Sequence, residues 1–283
     1  MAFGDRKDGK RIKGLDGMHG LIPHVMPKRC DADVYINQKF DVTNLVKYIE
    51  EKKKNSEEIT YFHAFSTALG KLVYNRPKLN NFIMNYKFYK RNDVSISFVA
   101  KTEFNDDAEE FFSLVKINEN DNINTISDKI SSDVKKIRNS KRNSADDLIN
   151  ILGKLPTFLK RIIWWFIKFL DRHDLLPSSL TNNTIYYSTI LVSNLGSIDC
   201  DAIYHHLTDF GTNSILITIG KIEKEKVLNE NGKEEIRDMV SFGITIDERI
   251  ADGFYFVKCM KVLQEIFDNP ELLEGKANEK IEK

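Results

Sequence analysis

The apolar residues of the chain fall into two rhythms that alternate along its length. From Thr60, which offers an N-cap, Phe62, Phe65, Leu69, Leu72 and Val73 recur at the spacing of one helical face until Pro77 ends the run. Val94, Ile96 and Phe98 instead alternate with Ser95 and Ser97, and Phe112 and Leu114 resume that period of two after an acidic loop, which predicts two paired strands. A strand is expected over 34–42 and a short helix over 43–54, closing in a solvated lysine run. The β-branched stretches 185–192 and 214–219 predict further strands. Segments 221–228 and 234–246 flank Asn231-Gly232, the pair preferred in a tight type I′ hairpin turn. After Gly253, Phe256, Met260, Leu263 and Phe267 share one helical face, and Pro270 stops that helix.

Two segments depart from these rhythms. Residues 118–150 carry only a thin stripe of Ile123, Ile126, Ile130, Val134 and Ile137 on a polar background, the pattern of a peripheral helix. Residues 155–176, bracketed by Pro156 and Pro177, are apolar on most sides of a helix, interrupted by Lys160, Arg161 and Lys168. Such helices are usually buried, so packing against the body is expected. A ligand-lining lid, and peripheral membrane contact through Trp164 and Trp165, are the alternatives. Residues 1–30 read as an extended arm, 31–273 as one domain and 274–283 as a frayed charged tail. Strands and helices interleave without flexible linkers, which predicts an α/β fold with a mixed sheet covered by helices.

Composition narrows the function classes. Of 283 residues 41% are hydrophobic and 30% charged, the balance of a globular protein, and Lys plus Arg equal Asp plus Glu at 42 each, so no global field recruits nucleic acid or an anionic membrane and any charged partner must be recognised locally. Cys30, Cys200 and Cys259 lie far apart, which speaks against a cysteine zinc site or a disulfide framework. No His-x-x-x-His or Glu-x-x-His spacing suggests a metal centre. With no apolar leader at the N-terminus, and a longest apolar run far short of the roughly 20 residues of a spanning helix, a cytoplasmic protein without a transmembrane segment is expected.

Three strings carry candidate chemistry. The most informative is Ser241-Phe242-Gly243-Ile244-Thr245-Ile246-Asp247-Glu248-Arg249-Ile250-Ala251-Asp252-Gly253, where a strand runs through a turn into a helix. The second is Val192-Ser193-Asn194-Leu195-Gly196, followed by a loop and a strand ending in Gly220; the third is Arg76-Pro77-Lys78-Leu79-Asn80, after the helix that begins near His63. In this order and setting they resemble the 2-oxo-acid dehydrogenase acyltransferases and chloramphenicol acetyltransferases, which carry Asp-His-Arg-x-x-Asp-Gly or His-x-x-x-Asp-Gly, Ile-Ser-Asn-Leu-Gly and His/Tyr-Pro-x-Leu-Asn. Asp247, Arg249, Asp252 and Gly253 match, whereas Glu248 stands where the histidine is expected. The resemblance runs from about residue 35 to 273.

The resemblance implies a two-layer α/β sandwich of the chloramphenicol acetyltransferase type. It also implies transfer of an acyl group from coenzyme A or an acyl-CoA substrate, without a metal, to a thiol, hydroxyl or amine acceptor. A homotrimer is implied, with the histidine-bearing loop of one chain facing the serine of the next. Carried over residue by residue, Glu248 takes the place of the base, and Ser193 donates to the oxyanion, a contribution of roughly 3 kcal/mol in comparable sites. Asp252 pairs with an arginine, for which Arg29 is a candidate, while Arg249, Gly253 and Asn194 shape the site. Imidazole can take a proton near pH 7, and a carboxylate, with a reference pKa about two units lower, is the weaker base. His205 and His206, in the loop after Ser-Asn-Leu-Gly, are alternative bases. Since no lipoyl-bearing or subunit-binding domain precedes the motifs, a stand-alone module is expected rather than a subunit of a dehydrogenase complex. Two readings stay open: an acyltransferase, and a catalytically inactive relative serving as a ligand-binding or assembly protein.

Overall fold

In the computed structural model, which describes residues 4–101, 110–139, 153–181, 184–229 and 231–281, the period-two segments assemble into one mixed sheet. Its strand order is β2 (Asp33–Asp41), β9 (Glu234–Asp247), β8 (Ile215–Leu228), β7 (Ile190–Asn194), β5 (Val94–Lys101) and β6 (Glu110–Ile117). The pairs β5/β7 and β7/β8 are parallel; the others are antiparallel. A small antiparallel sheet joins β1 (Gly9–Arg11), β4 (Lys87–Arg91) and β3 (Asn81–Met84).

Alternation assigns the two faces of the large sheet. Ile190 and Val192 of β7, Ile215, Ile217 and Ile219 of β8, and Phe242, Ile244 and Ile246 of β9 enter the core. There they meet α2 (Thr43–Lys54), α3 (Tyr61–Asn75) and α6 (Gly253–Asp268). Phe40 of β2, Phe65 of α3, Phe242 of β9 and Phe267 of α6 form edge-to-face pairs with centroids 5.1 to 5.6 Å apart, each worth about 0.5–1.5 kcal/mol beyond simple burial. That cluster clamps the helical layer to the sheet. The intervening residues, Ser193, Thr218, Gly243, Thr245 and Asp247 among them, point to the opposite, outer face.

Helix α3 starts where expected, with the Thr60 hydroxyl accepting the His63 amide, but every residue from His63 to Val73 is buried. Of its polar members only the Ser66 hydroxyl finds no hydrogen-bond partner among the described residues. Thr67 donates to the His63 carbonyl, His63 Nδ1 lies 2.7 Å from the Ser127 hydroxyl, and Lys71 Nζ donates to the carbonyls of Gly275 and Lys276. Those last bonds overturn the expected fraying over 274–281, the described part of the tail: Leu273 and Ala277 are fully buried, and Ala277 and Asn278 donate backbone hydrogen bonds to Asp121 and Glu119.

Other expectations shift for local reasons. The arm is not extended throughout, since it supplies β1 and α1 (Gly17–Val25), the latter capped by Asp16. The strand expected over 185–192 begins only at Ile190, because Thr184 caps a 3₁₀ turn at Ile185–Tyr187 and the Thr189 hydroxyl takes up the Ser95 amide and Asn80 Oδ1. The hairpin is wider than a type I′ turn. β8 and β9 last pair at Leu228 and Glu234, only Gly232 of the Asn-Gly pair has positive φ, and Asn229 Oδ1 collects the amides of Asn231 and Lys233. The thin stripe forms α4 (Ile123–Asn139), and the rest of that expected helix, 140–150, lies outside the described residues.

The largest departure is α5 (Thr157–Arg172). Its expected burial is contradicted: Asp171 alone is buried, while Phe158, Ile162, Trp165 and Phe166 are each more than half exposed. Asp171 anchors this helix, Leu159, Ile163, Ile167 and Leu170 are half-buried, and the larger aromatic residues face outward. Among the described residues no helix is long and apolar enough to cross a membrane.

Candidate active site

Strand β9 ends on Asp247, which lies opposite Asp33 and is fully buried on the outer face. Arg249 donates from Nε and Nη2 to both carboxylate oxygens of Asp247 at 2.7 Å, and from Nη1 to the Met26 carbonyl. Arg29 donates to the carbonyls of Thr208, Ile83 and Gly211, with Nε 3.9 Å from Asp247. Burial pulls the Arg29 pKa down, and the facing Asp247 opposes that shift. Asp247 is thus the counter-charge for two buried guanidiniums.

The expected pairing of Arg29 with Asp252 is not formed. Asp252 is exposed and caps α6 by accepting the Tyr255 amide at 2.8 Å, a bond that holds its carboxyl below the usual range. Gly253 has an ordinary φ, and a Cβ there would meet open space, so nothing in this turn requires glycine. Asp247 was legible as a motif member but not as the lock. Its phase with Gly243 and Thr245 was the available signal, while the segment that buries it lies far away in sequence.

The 3₁₀ turn Glu248–Ile250 shows what that lock accomplishes. With Asp247 and Arg249 turned inward and Ile250 and Ala251 in the core, Glu248 is the residue directed to solvent. No described residue hydrogen-bonds or ion-pairs its carboxylate. The loop is built to present side chain 248.

Ser193 sits on β7, level with Thr218 of β8 and, beyond it, Gly243 of β9. It is half-buried on the outer face, and its hydroxyl makes no hydrogen bond to a described residue. The glycine of the Ser-Asn-Leu-Gly string has a steric basis: a Cβ on Gly196 would lie 2.6 Å from the Gly220 carbonyl oxygen. Asn194 opens the 3₁₀ turn Leu195–Ile198, its carbonyl accepting the Ser197 hydroxyl. The third string is structural, because buried Asn80 accepts from Thr189 and donates to the Asp93 carbonyl.

Residues 201–208 cross the outer face between the two ends of the sheet. The Ile203 amide donates to Thr218 Oγ1, the Thr218 hydroxyl returns a bond to the Ile203 carbonyl, and Gly243 lacks the Cβ that would strike that carbonyl. Further on, the Leu207 amide donates to Asp33, whose pKa is raised by burial. His205 and His206 are exposed beside this point, at the Glu248 end rather than the Ser193 end.

Ser193 and Glu248 are not brought together within one chain. They lie five residues apart along the strands, about 17 Å, and two strands apart, about 10 Å. A concavity of about 920 Å³ between the start of α3 and α4, lined by Glu57, Ser127 and Lys135 among others, contains none of the site residues. Among the described residues no cluster of three His, Cys, Asp or Glu side chains could hold a metal ion.

Residues 173–274 match the family described as 2-oxoacid dehydrogenases acyltransferase (catalytic domain), a segment containing both the Ser193 and the Glu248 strings. The lipoamide acyltransferase component of the branched-chain alpha-keto acid dehydrogenase complex of Bacillus subtilis is 24% identical over 234 residues. The match covers 81% of this chain and 45% of that protein, so the chain spans less than half of this relative's length. A probable dihydrolipoamide acetyltransferase from Listeria monocytogenes superposes with a TM-score of 0.60 at 19% identity, over 92% of this chain and 95% of that one. A chloramphenicol acetyltransferase does so with a TM-score of 0.54 at 11% identity, over 92% and 99%. The matched C-terminal segment thus resembles the 2-oxoacid dehydrogenase acyltransferase catalytic domain, and the chain shares the fold of the dihydrolipoamide acetyltransferase and chloramphenicol acetyltransferase structures.

Proposed function

We propose that the protein transfers an acyl group from a coenzyme A thioester to a thiol, hydroxyl or amine acceptor in the cytoplasm, and that each site takes Ser193 from one copy and Glu248 from another in a homotrimer. The observation that carries this reading is the pairing of a presented, unengaged side chain at each end of the same sheet: Ser193 at one, Glu248 at the other. The two are too far apart to act on one carbonyl unless a second copy completes the site.

In this reading the Glu248 carboxylate takes the acceptor's proton as the acceptor attacks the thioester carbonyl carbon. The Ser193 hydroxyl donates to the oxyanion that forms. Collapse re-forms the carbonyl and breaks the carbon–sulfur bond, and the coenzyme A thiolate leaves, recovering the proton from Glu248. Arg249, Asp247 and Arg29 hold the loop while this happens and touch no reacting atom. His205 and His206, at the same end of the sheet, are the alternative bases.

An inactive ligand-binding or assembly relative is the second reading, and the presence of glutamate where relatives carry histidine favours it. Release of free coenzyme A from a panel of acyl-CoAs with thiol, alcohol and amine acceptors separates the two. Wild type should release it, Ser193→Ala should be slower by about 10²–10³-fold, and Glu248→Gln should fall at least as far. Equal release by all three removes the chemistry from this site, and no release by the wild type favours the inactive relative.

A further inference from the structure

Helix α5 lies just before the matched segment, which begins at residue 173. Its inner side is held to the body: Leu159, Ile163, Ile167 and Leu170 are half-buried, Lys168 pairs with Asp209, and Arg6 donates to the Asp171 carbonyl. Asp171 accepts from the Tyr187 hydroxyl at 2.8 Å and the Gly211 amide at 3.2 Å, and Trp164 rests against Phe210 with centroids 5.1 Å apart. Phe158, Ile162, Trp165 and Phe169, separated by four, three and four residues, form one stripe on the solvent side, with Trp165 67% and Phe158 62% exposed. At 1.5 Å per residue the stripe is about 17 Å long.

Charge accompanies the stripe, and it has one sign. Arg161 and Arg172 flank it and are exposed, and neither pairs with a described acid. The one acid of the helix, Asp171, is buried. We propose that α5 is an in-plane membrane anchor that lies on an anionic phospholipid surface, its aromatic stripe at the boundary of headgroups and acyl chains and Arg161 and Arg172 against lipid phosphates. The helix is too short, at roughly 24 Å, to cross a hydrocarbon core of about 30 Å. Tryptophan and phenylalanine beside arginine suit the interfacial depth. Self-association through this face would set like charges against each other, whereas an anionic surface neutralises them. A lone convex helix offers a partner peptide no groove, and a bilayer needs none.

The chain has two tryptophans, Trp164 and Trp165, both in α5, so emission excited selectively at tryptophan, away from the ten tyrosines, reports on this helix. The full chain should cosediment with vesicles of phosphatidylcholine containing phosphatidylglycerol, with a blue-shifted emission, and should bind pure phosphatidylcholine weakly. Added salt should weaken the binding. Reversing both charges, Arg161→Glu with Arg172→Glu, should weaken it by at least roughly 30-fold, and Phe158→Asp with Ile162→Asp should abolish it. All four positions are exposed, and an unchanged far-UV circular dichroism spectrum confirms that the variants fold. Failure to bind either vesicle, or binding that ignores both lipid charge and the arginines, overturns the proposal. A blue shift that appears on raising protein concentration without lipid also overturns it and assigns the face to a second copy.

Discussion

Replacing Asp247 with asparagine should destabilise the protein more than any other single change in the 248 loop. The Asp247 side chain is fully buried, and the two guanidiniums that face it, Arg249 and Arg29, are 2% and 4% exposed. Asparagine keeps the shape and one acceptor but takes from two buried cations their nearest counter-charge, leaving Arg29 only the more distant Asp209 and Asp171. Removing one partner of a buried pair typically costs about 3–5 kcal/mol, against a total stability of about 5–15 kcal/mol for a domain. The retained acceptor places the expectation near ~3 kcal/mol. Denaturant unfolding gives the number directly. Adding Arg249→Met should restore part of the loss by removing one orphaned charge, a coupling that a double-mutant cycle measures. Asp252→Ala, which removes only an exposed cap, should lose far less. A loss below about 1 kcal/mol for Asp247→Asn, the size expected of a surface pair, or a larger loss for Asp252→Ala, would refute the assignment of Asp247 as the lock.

Further outcomes follow from the same geometry. Gly196→Ala puts a Cβ 2.6 Å from backbone at Gly220, so it should cost about 1–3 kcal/mol and slow coenzyme A release through the displaced Ser193; an unchanged Tm and rate would count against that close approach. Burial lowers the His63 pKa, so the folded state favours the neutral ring, and this contribution is complete above the unfolded value near 6.5 and lost as pH falls through the folded one. His63→Gln should therefore flatten the decline of the urea midpoint between about pH 7 and 5, and an unaltered slope would assign the decline to other groups. Deleting residues 275–283 removes the carbonyls that receive Lys71 Nζ, a side chain 1% exposed, and should lower the denaturation midpoint. Lys71→Met should reduce that penalty, and a midpoint indifferent to the truncation would mean that the tail does not stabilise the body.

What was legible in the sequence follows the range of the forces involved. The Thr60-capped helix and the helix after Gly253 were readable because their signals, a cap and a period, lie within a few residues; β5 and β6 were readable as paired strands, but the phase of β6 was not, since Val115 and Ile117 enter the core and Phe112 is 48% exposed. The hairpin was readable as a turn, but its width is set by the Asn229 side chain collecting two amides, which the Asn-Gly pair does not encode. Helix α5 was readable as apolar, yet which side meets the protein is decided by Asp171 finding Tyr187 and Gly211, and neither contact is visible locally. For the proposed site the ordered strings singled out Ser193 and Glu248, and the fold leaves both side chains unengaged at opposite ends of one sheet. The string holds two aspartates in equally plausible positions, and the choice between them rests on the segment over the outer face and on Arg29, from the other end of the chain.

A mixed-oligomer experiment asks whether Ser193 and Glu248 act together across a subunit boundary. Ser193→Ala and Glu248→Gln chains, each nearly inactive alone, would be unfolded, combined in equal amounts and reassembled, and their release of coenzyme A compared with that of wild type. If each site of a cyclic trimer draws its serine and its carboxylate from neighbouring chains, roughly a quarter of the sites regain both intact residues, and about a quarter of the wild-type activity should return. Mixed oligomers no more active than their parents would contradict a shared site.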